Sequence, residues 1–326
     1  MHVVVTGGAG FIGSNLVPVL LDKGFDVTIL DDFSSGRYEN ISDLKSRVRL
    51  VECNLAKSGD WEQFILDCDH VVHLAALADI VPSIKQPQKY FNANVTSTLN
   101  LLEILRKTSV KKLVYAASSS CYGIPKEFPT SEGAEISPQY PYALTKFMGE
   151  QLVQHWSQLY NIPCTSLRFF NVYGPKARTT SNYGAVLGVF LAQKIAKKPL
   201  TIVGNGEQTR DFTYVLDVCS AILAALLATS TGYSFYNVGS GKTISVNKIA
   251  SLIGGPVVFI PKRPGEPDCT FADISKIRTE LSWEPSVPIE VGMELLIENI
   301  DYWADAPVWD PKSISKATKD WFKYLE

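Results

Sequence analysis

The opening run MHVVVTGGAGFIG joins a β-branched apolar stretch at residues 3–5 to a glycine cluster, Gly7, Gly8, Gly10 and Gly13, and then to helical spacing over 14–23. So short an apolar run, ended by glycines, is no buried helix, and its valines favour a strand. A strand that turns straight into a helix is answered by a parallel neighbour, because the helix carries the chain back to the end where it started. The first half repeats the pattern, with strands expected at 27–30, 48–51, 71–74, 113–115 and 165–167 and helices at 95–107 and 142–160. Near-continuous apolar strands separated by helices imply a parallel sheet covered on both faces. That is a doubly wound α/β architecture of Rossmann type, whose ligands sit at the carboxyl ends of the strands.

After Asn171 the rhythm changes to loops rich in Gly, Pro, Thr and Asn, at 173–183, 203–209 and 261–267. The expected division is a dinucleotide-binding domain at 1–170 and a smaller, mostly C-terminal lobe at 171–326, with a stretch near 233–238 that has the composition of a late strand of the first. Trp303, Trp309 and Trp321 put half of the six tryptophans in the last 24 residues. Asp310-Pro311 followed by Ile314, Ala317, Trp321 and Leu325 reads as one capped amphipathic helix, docked on the protein's own body or on a second chain.

The glycines have the spacing G-x-x-G-x-x-G. Backbone without side chains lets a pyrophosphate approach a helix N-terminus, where unpaired N–H groups and the helix dipole favour anions. Asp31 ends the second expected strand, 18 residues beyond Gly13, with Asp32 beside it. A carboxylate there accepts hydrogen bonds from both adenosine-ribose hydroxyls and repels a 2′-phosphate, which favours NAD over NADP. On their own, two aspartates before Phe33-Ser34-Ser35-Gly36 also suit a plain turn. Tyr142 and Lys146 stand four apart on one helix face. A cation near a phenol pulls its pKa down from ~10, so the spacing predicts a tyrosine poised as a general base. Y-x-x-x-K is common, and what singles it out is the Ser-rich run Ser118-Ser119-Ser120 after the fifth strand, at the edge where ligands bind.

TGGAGFIG, HLAA (73–76), the Ser-rich strand end before Tyr122-Gly123, PYALTK, RFFNVYGP (168–175), RDFTYVLDV (210–218) and RPGEPDCTFAD (263–273) occur together and in order over roughly residues 1 to 300. The combination resembles the extended short-chain dehydrogenase/reductase family, in its nucleotide-sugar epimerase/dehydratase branch, and is most similar to its UDP-hexose 4-epimerases. The resemblance implies a catalytic set of Ser118, Tyr142 as acid/base and Lys146 on the nicotinamide ribose. It implies an NAD site made by Gly7, Gly10, Phe11, Ile12, Gly13, Asp31, Asp32, Asn54, Leu55, Ala75 and Asn94 together with Tyr142 and Lys146. It places the sugar nucleotide, expected to be a UDP-sugar, on Ser119, Asn171, Arg210, Arg263 and Thr270. Dimerisation through the helices at 95–107 and 146–160 is implied as well. Departures guide the choice of reaction. Ser119 and Ser120 stand where the 4,6-dehydratases carry Asp-Glu and where sugar-acid decarboxylases keep the Glu, which leaves the epimerase pattern. A dehydratase or a 4-keto-sugar reductase is the alternative; an NAD-binding sensor without catalysis is a more distant one. Asn54 stands in place of an Asp that contacts adenine, and its carbonyl still accepts. Thr270 replaces a bulky Tyr and leaves room for an N-acetylated hexose, while residues 77–83 match no version tied to one sugar.

Composition narrows the rest. Thirty-one Lys and Arg against 33 Asp and Glu give a charge of −2, which speaks against a nucleic-acid binder. Six cysteines without C-x-x-C suit a reduced, cytoplasmic protein. His70 and His73 read as structural residues on opposite faces of a strand, so no metal is expected. The longest apolar stretch, 221–228, is far short of the ~20 residues of a membrane span, and the N-terminus lacks the basic start of a signal peptide.

Overall fold

The computed structural model describes residues 1–177 and 185–325. Its centre is a seven-stranded sheet of β1 (His2–Thr6), β2 (Asp26–Asp31), β3 (Val48–Glu52), β4 (His70–His73), β5 (Lys112–Ser118), β6 (Cys164–Phe169) and β11 (Tyr233–Val238). The order is β11-β6-β5-β4-β1-β2-β3, every pair parallel, so the winding reverses between β1 and β4. A crevice opens at such a reversal, beyond the carboxyl ends of the strands.

The unbroken apolar runs of the strands follow from this layering. Side chains alternate across a strand. Val3 and Val5 join one core with Leu16, Leu20, Val218 and Ile222, while Val4 joins a second core with Trp61, Ile65, Leu101 and Val153 on the other face. Leu16, Leu20 and Leu101 are fully buried, each stabilising the fold by ~1.5–3 kcal/mol relative to exposure. The helix Phe11–Asp22 packs on the first face beside Val215–Leu227, and Ser97–Leu105 with Pro141–Tyr160 covers the second.

Three two-stranded sheets lie outside the main one: β7 (Asn171–Tyr173) with β10 (Phe212–Tyr214), β8 (Leu200–Val203) with β13 (Val257–Ile260), and β9 (Thr209–Arg210) with β12 (Ile244–Ser245). Two elements differ from expectation. The helix expected at 95–107 is preceded by a widened π turn, Asn92–Thr96, which turns Asn94 inward. The single tail helix is two, Pro311–Ala317 and Lys319–Leu325. Asp310 and Ser313 form the expected cap as a reciprocal capping box, but buried Thr318 turns its hydroxyl back onto the Ile314 carbonyl at 2.9 Å and separates the pair. The loop read at 173–183 leaves the described residues after 177. Among the described residues no helix is long and apolar enough to cross a membrane, and no cluster of three or more His, Cys, Asp or Glu is placed to hold a metal. His73 is buried between the hydroxyls of Thr6 (2.7 Å) and Thr98 (3.0 Å), and burial drives its imidazole down to about 3.

Candidate active site

A cavity of about 1150 Å³ runs along the carboxyl ends of β1, β2, β4 and β5 and out between the small sheets. Pockets for one drug-sized ligand run to ~300–1,000 Å³, and this cavity lies above that range.

At one end the turn from β1 into the Phe11–Asp22 helix is shaped by its glycines. Gly7 has φ +70°, and a Cβ there would lie 2.8 Å from the Ala75 amide. A Cβ on Gly13 would run into the Gly7 carbonyl oxygen and lie 2.6 Å from Gly8 Cα. Gly7, Gly10, Phe11, Ile12 and Gly13 line the cavity with Asp31, Asp32, Asn54, Leu55 and Ala75. Asp31 accepts from the amides of Ala9 and Phe33, both at 2.9 Å. Burial pushes its carboxyl up and these two bonds pull it back. The cradle, the helix end and the buried acid fit a dinucleotide with a free ribose 2′-hydroxyl. Asn54 spends its carbonyl on the Ala56 amide at 2.9 Å. Asn94 alone of the expected contacts does not reach the wall. Its side-chain amide bonds Leu77 on both sides, at 2.8 and 3.0 Å, and Thr145 at 3.0 Å, bracing the loop after β4 against the Pro141–Tyr160 helix.

In the middle, Ser118 ends β5 and Tyr142 opens the Pro141–Tyr160 helix, with Tyr142 Oη 3.3 Å from Ser118 Oγ. Ser120 Oγ lies 2.8 Å from Ser118 Oγ, and Ser119 faces the same space. Lys146 Nζ sits 4.4 Å from the centre of the Tyr115 ring. Burial pushes the Lys146 ammonium down to about 7, with Glu150 pulling it back up. The phenol expected to be pulled down instead moves up. Burial raises Tyr142, Ser118's hydrogen bond opposes it, and Asp79 adds to the rise. Lys146 is buried and Tyr142 half-buried in the cavity wall, and desolvation outweighs the pairing that the spacing suggested.

Behind these groups lies a buried network that the sequence pattern does not announce. Arg168 on β6 grips Glu150, one turn beyond Lys146, with Nε at 3.1 and 3.0 Å and Nη2 at 2.6 Å from its carboxylate oxygens. Its Nη1 donates to Tyr122 Oη at 2.8 Å, and Tyr122, just past the serine turn, donates to Asn237 on β11 at 2.7 Å. The pair thereby ties the helix of Tyr142 to the turn of Ser118.

At the far end Asn171, Arg210, Arg263 and Thr270 line the wall. Thr270 donates to Asn171 Oδ1 at 2.7 Å, which leaves the Asn171 amide NH2 as its donor group. Arg210 Nη2 meets Glu266 Oε1 at 3.1 Å, and Arg263 Nη1 stands 3.9 Å from the other oxygen. Asp211, buried, accepts from Ser240 N (2.6 Å) and Ala272 N (3.1 Å) and so anchors the strand end beside Arg210. Further lining groups went unread in the sequence: Lys176, whose Nζ donates to Asn40 O at 2.8 Å, Tyr140, Glu266 and Trp321. For Lys176 and Glu266 the signal was adjacency to RFFNVYGP and to Arg263; Trp321 lies 48 residues beyond Asp273, where the last motif ends.

Residues 3–239 match the sequence model of the NAD dependent epimerase/dehydratase family. The chain is 34% identical over 312 residues to a UDP-glucose 4-epimerase of Mycolicibacterium smegmatis, covering 91% of this chain and 98% of that protein. It is 31% identical to a UDP-glucuronic acid decarboxylase 1 of Arabidopsis thaliana, over 92% of this chain and 69% of that one. Among solved structures it superposes with TM-score 0.86 and 34% identity on the UDP-glucuronic acid 4-epimerase from Bacillus cereus bound to UDP-glucuronic acid and NAD, covering 92% of this chain and 99% of that one.

Proposed function

Because the chain belongs to the NAD-dependent epimerase/dehydratase family, we propose that it interconverts UDP-hexoses at C4, glucose and galactose or their N-acetylated forms, through a transient 4-keto sugar. The observation that carries the reading is the hydroxyl-only turn after β5. Ser118, Ser119 and Ser120 stand around Tyr142, where removal of water or carbon dioxide would call for a carboxylate on that turn.

In this reading Tyr142, which would be ionised with the cofactor's positive charge beside it, takes as phenolate the proton of the sugar 4-hydroxyl and later returns it, with Ser118, 3.3 Å away, sharing the bond. Lys146 holds the ribose on the nicotinamide side. NAD, when bound, supplies the acceptor and donor for the C4 hydride and a positive charge near the phenol. Asp31 holds the adenosine ribose, and the Phe11–Asp22 helix end receives the pyrophosphate. Arg210, Arg263 and the Asn171 amide grip the sugar nucleotide's diphosphate, a task that suits a planar guanidinium fork. Ser119 and Thr270 border the sugar. The ketone stays enclosed while it turns its other face, so the protein returns a sugar inverted at C4 with no net redox change.

The sheet and its helices serve the cofactor and the loops beyond residue 170 serve the sugar, a division that residues 215–238 cross back over. Leu144 and Leu159 are exposed on the Pro141–Tyr160 helix and support pairing of that helix in a homodimer. Six free cysteines support a reducing, cytoplasmic setting.

The test incubates pure protein, without added NAD, with UDP-glucose, UDP-N-acetylglucosamine and UDP-glucuronate and follows proton NMR. Interconversion that Tyr142→Phe abolishes is the expected result. Pentose formation would favour the decarboxylase relative's chemistry, and accumulation of a 4-keto product would sink the epimerase reading.

A further inference from the structure

The tail helices reach a place that their sequence gives no reason to expect. Lys319–Leu325 packs along the helix Ile80–Lys85, where Lys85 Nζ donates to Ala317 O at 3.2 Å and stands 3.8 Å from Asp320. Pro311–Ala317 is held by Ile314, buried against Val189, Val203 and Ile260 from three other segments. Between these anchors the tail carries Trp321, 3% exposed, into the cavity wall.

There Trp321 makes three contacts. Its Nε1 donates to Pro264 O at 2.7 Å, its ring lies 5.5 Å under the Arg263 guanidinium, and it meets the Tyr140 ring at 6.2 Å. Tyr140 in turn stacks on Tyr142 at 6.4 Å. Residues 261–267 contain no helix or strand, and Gly265 inside them has φ +68°. The backbone of that loop therefore takes its position from outside, and Trp321 bonds it directly beside the arginine.

We propose that Trp321 is a positioning residue for the nucleotide-sugar diphosphate: the tail presses its indole onto the Arg263 loop and the Tyr140 ring and sets where the guanidinium points. The inference rests on the nucleotide-sugar reading above. Without the ring contact and the hydrogen bond the guanidinium is free to point elsewhere, and a fall of the competent orientation to about a tenth of the population weakens binding about tenfold.

Calorimetric titration with UDP tests it, on the full chain with its NAD. Trp321→Ala is expected to weaken UDP about tenfold while NAD content holds, with Tm lowered by several degrees as truncation of a buried tryptophan requires. Trp321→Phe, which keeps a ring under Arg263 and loses the donor, should weaken it only a few-fold. In an Arg263→Ala background Trp321→Ala should add less than about twofold, since the indole acts through that side chain. Unchanged UDP affinity in Trp321→Ala, or losses that multiply with those of Arg263→Ala, overturn the proposal. So does a fall in NAD content in step with UDP affinity, the mark of a merely structural role. Should Trp321→Ala not fold, Trp321→Phe decides: affinity equal to wild type with Arg263 present, or an equal loss with and without Arg263, refutes the positioning role. Wild-type protein that binds no UDP overturns the nucleotide-sugar reading itself, a result separable from all of these.

Discussion

Arg168→Leu is the substitution whose consequence follows most directly from the geometry. Arg168 and Glu150 are each 5% exposed, and two N–H donors of the guanidinium, Nε and Nη2, make three contacts within 3.1 Å of the carboxylate oxygens. Leucine leaves that carboxylate buried without its donors, a loss of ~3–5 kcal/mol for a buried pair broken on one side. At ~2.1 cal/mol/K per residue, each kcal/mol is worth roughly 1.5 °C in a chain of 326 residues, so Tm should fall by about 4–7 °C. Arg168→Leu with Glu150→Leu removes both charges and should recover most of the drop, because the desolvation penalty goes with them. The variant should also lose activity in kcat. Arg168 holds Tyr122 beside the Ser118 turn and Glu150 on the Tyr142 helix, and a displacement of ~1 Å between reacting groups costs on the order of 100-fold. Differential scanning calorimetry and NMR-followed epimerisation at 25 °C read the two effects. A Tm drop below about 1 °C, a double variant that falls by the sum of the singles, or an unchanged kcat would refute the reasoning.

Other outcomes follow from single groups. Gly13→Ala puts a methyl against the Gly7 carbonyl and 2.6 Å from Gly8 Cα, so the purified protein should carry little NAD, as released dinucleotide measured by chromatography will show. Burial holds Lys146 down to about 7, against ~10.4 for a free lysine. Between those values the unfolded chain binds a proton that the folded chain does not, so this group's penalty is full below about pH 7 and fades as pH rises towards the free value. Lys146→Met in NAD-depleted protein should therefore raise Tm most near pH 6 and hardly at all near pH 10; a pH-independent gain would contradict this. Thr270→Tyr should depress UDP-N-acetylglucosamine turnover more than UDP-glucose turnover; equal loss on both would point instead to the broken Thr270–Asn171 bond. Leu144→Glu with Leu159→Glu should convert a dimer into monomers in sedimentation, and unchanged sedimentation removes that face from consideration.

What could be read beforehand was whatever rests on local chemistry. The glycine turn, Asp31 and the sheet's strands are legible because their steric and hydrophobic demands fall within a few neighbouring residues. The pairing of Ser118 with Tyr142 was legible through motif order, although 24 residues separate them. The direction of Tyr142's shift was not, because a spacing shows a nearby cation and does not show the burial that opposes it. Asn94 belongs to the cofactor set that the motif order implies; which way its amide turns, towards Leu77 and Thr145, is set by a widened turn that no motif announces. Hydrophobic spacing runs through Thr318 without interruption and so predicts one tail helix; where Trp321 docks depends on contacts with residues 140 and 263–264, far beyond any local window.

The late strand has a consequence during synthesis. β6 is complete at Phe169, yet its outer neighbour begins only at Tyr233. Until the ribosome has delivered residue 238, β6 exposes a row of unpaired amides and carbonyls to any other extended chain. At ~5–20 residues per second that interval lasts several seconds. A nascent chain arrested there, or truncated before β11, is an open-edged template, and chaperone capture and aggregation should be confined to that window.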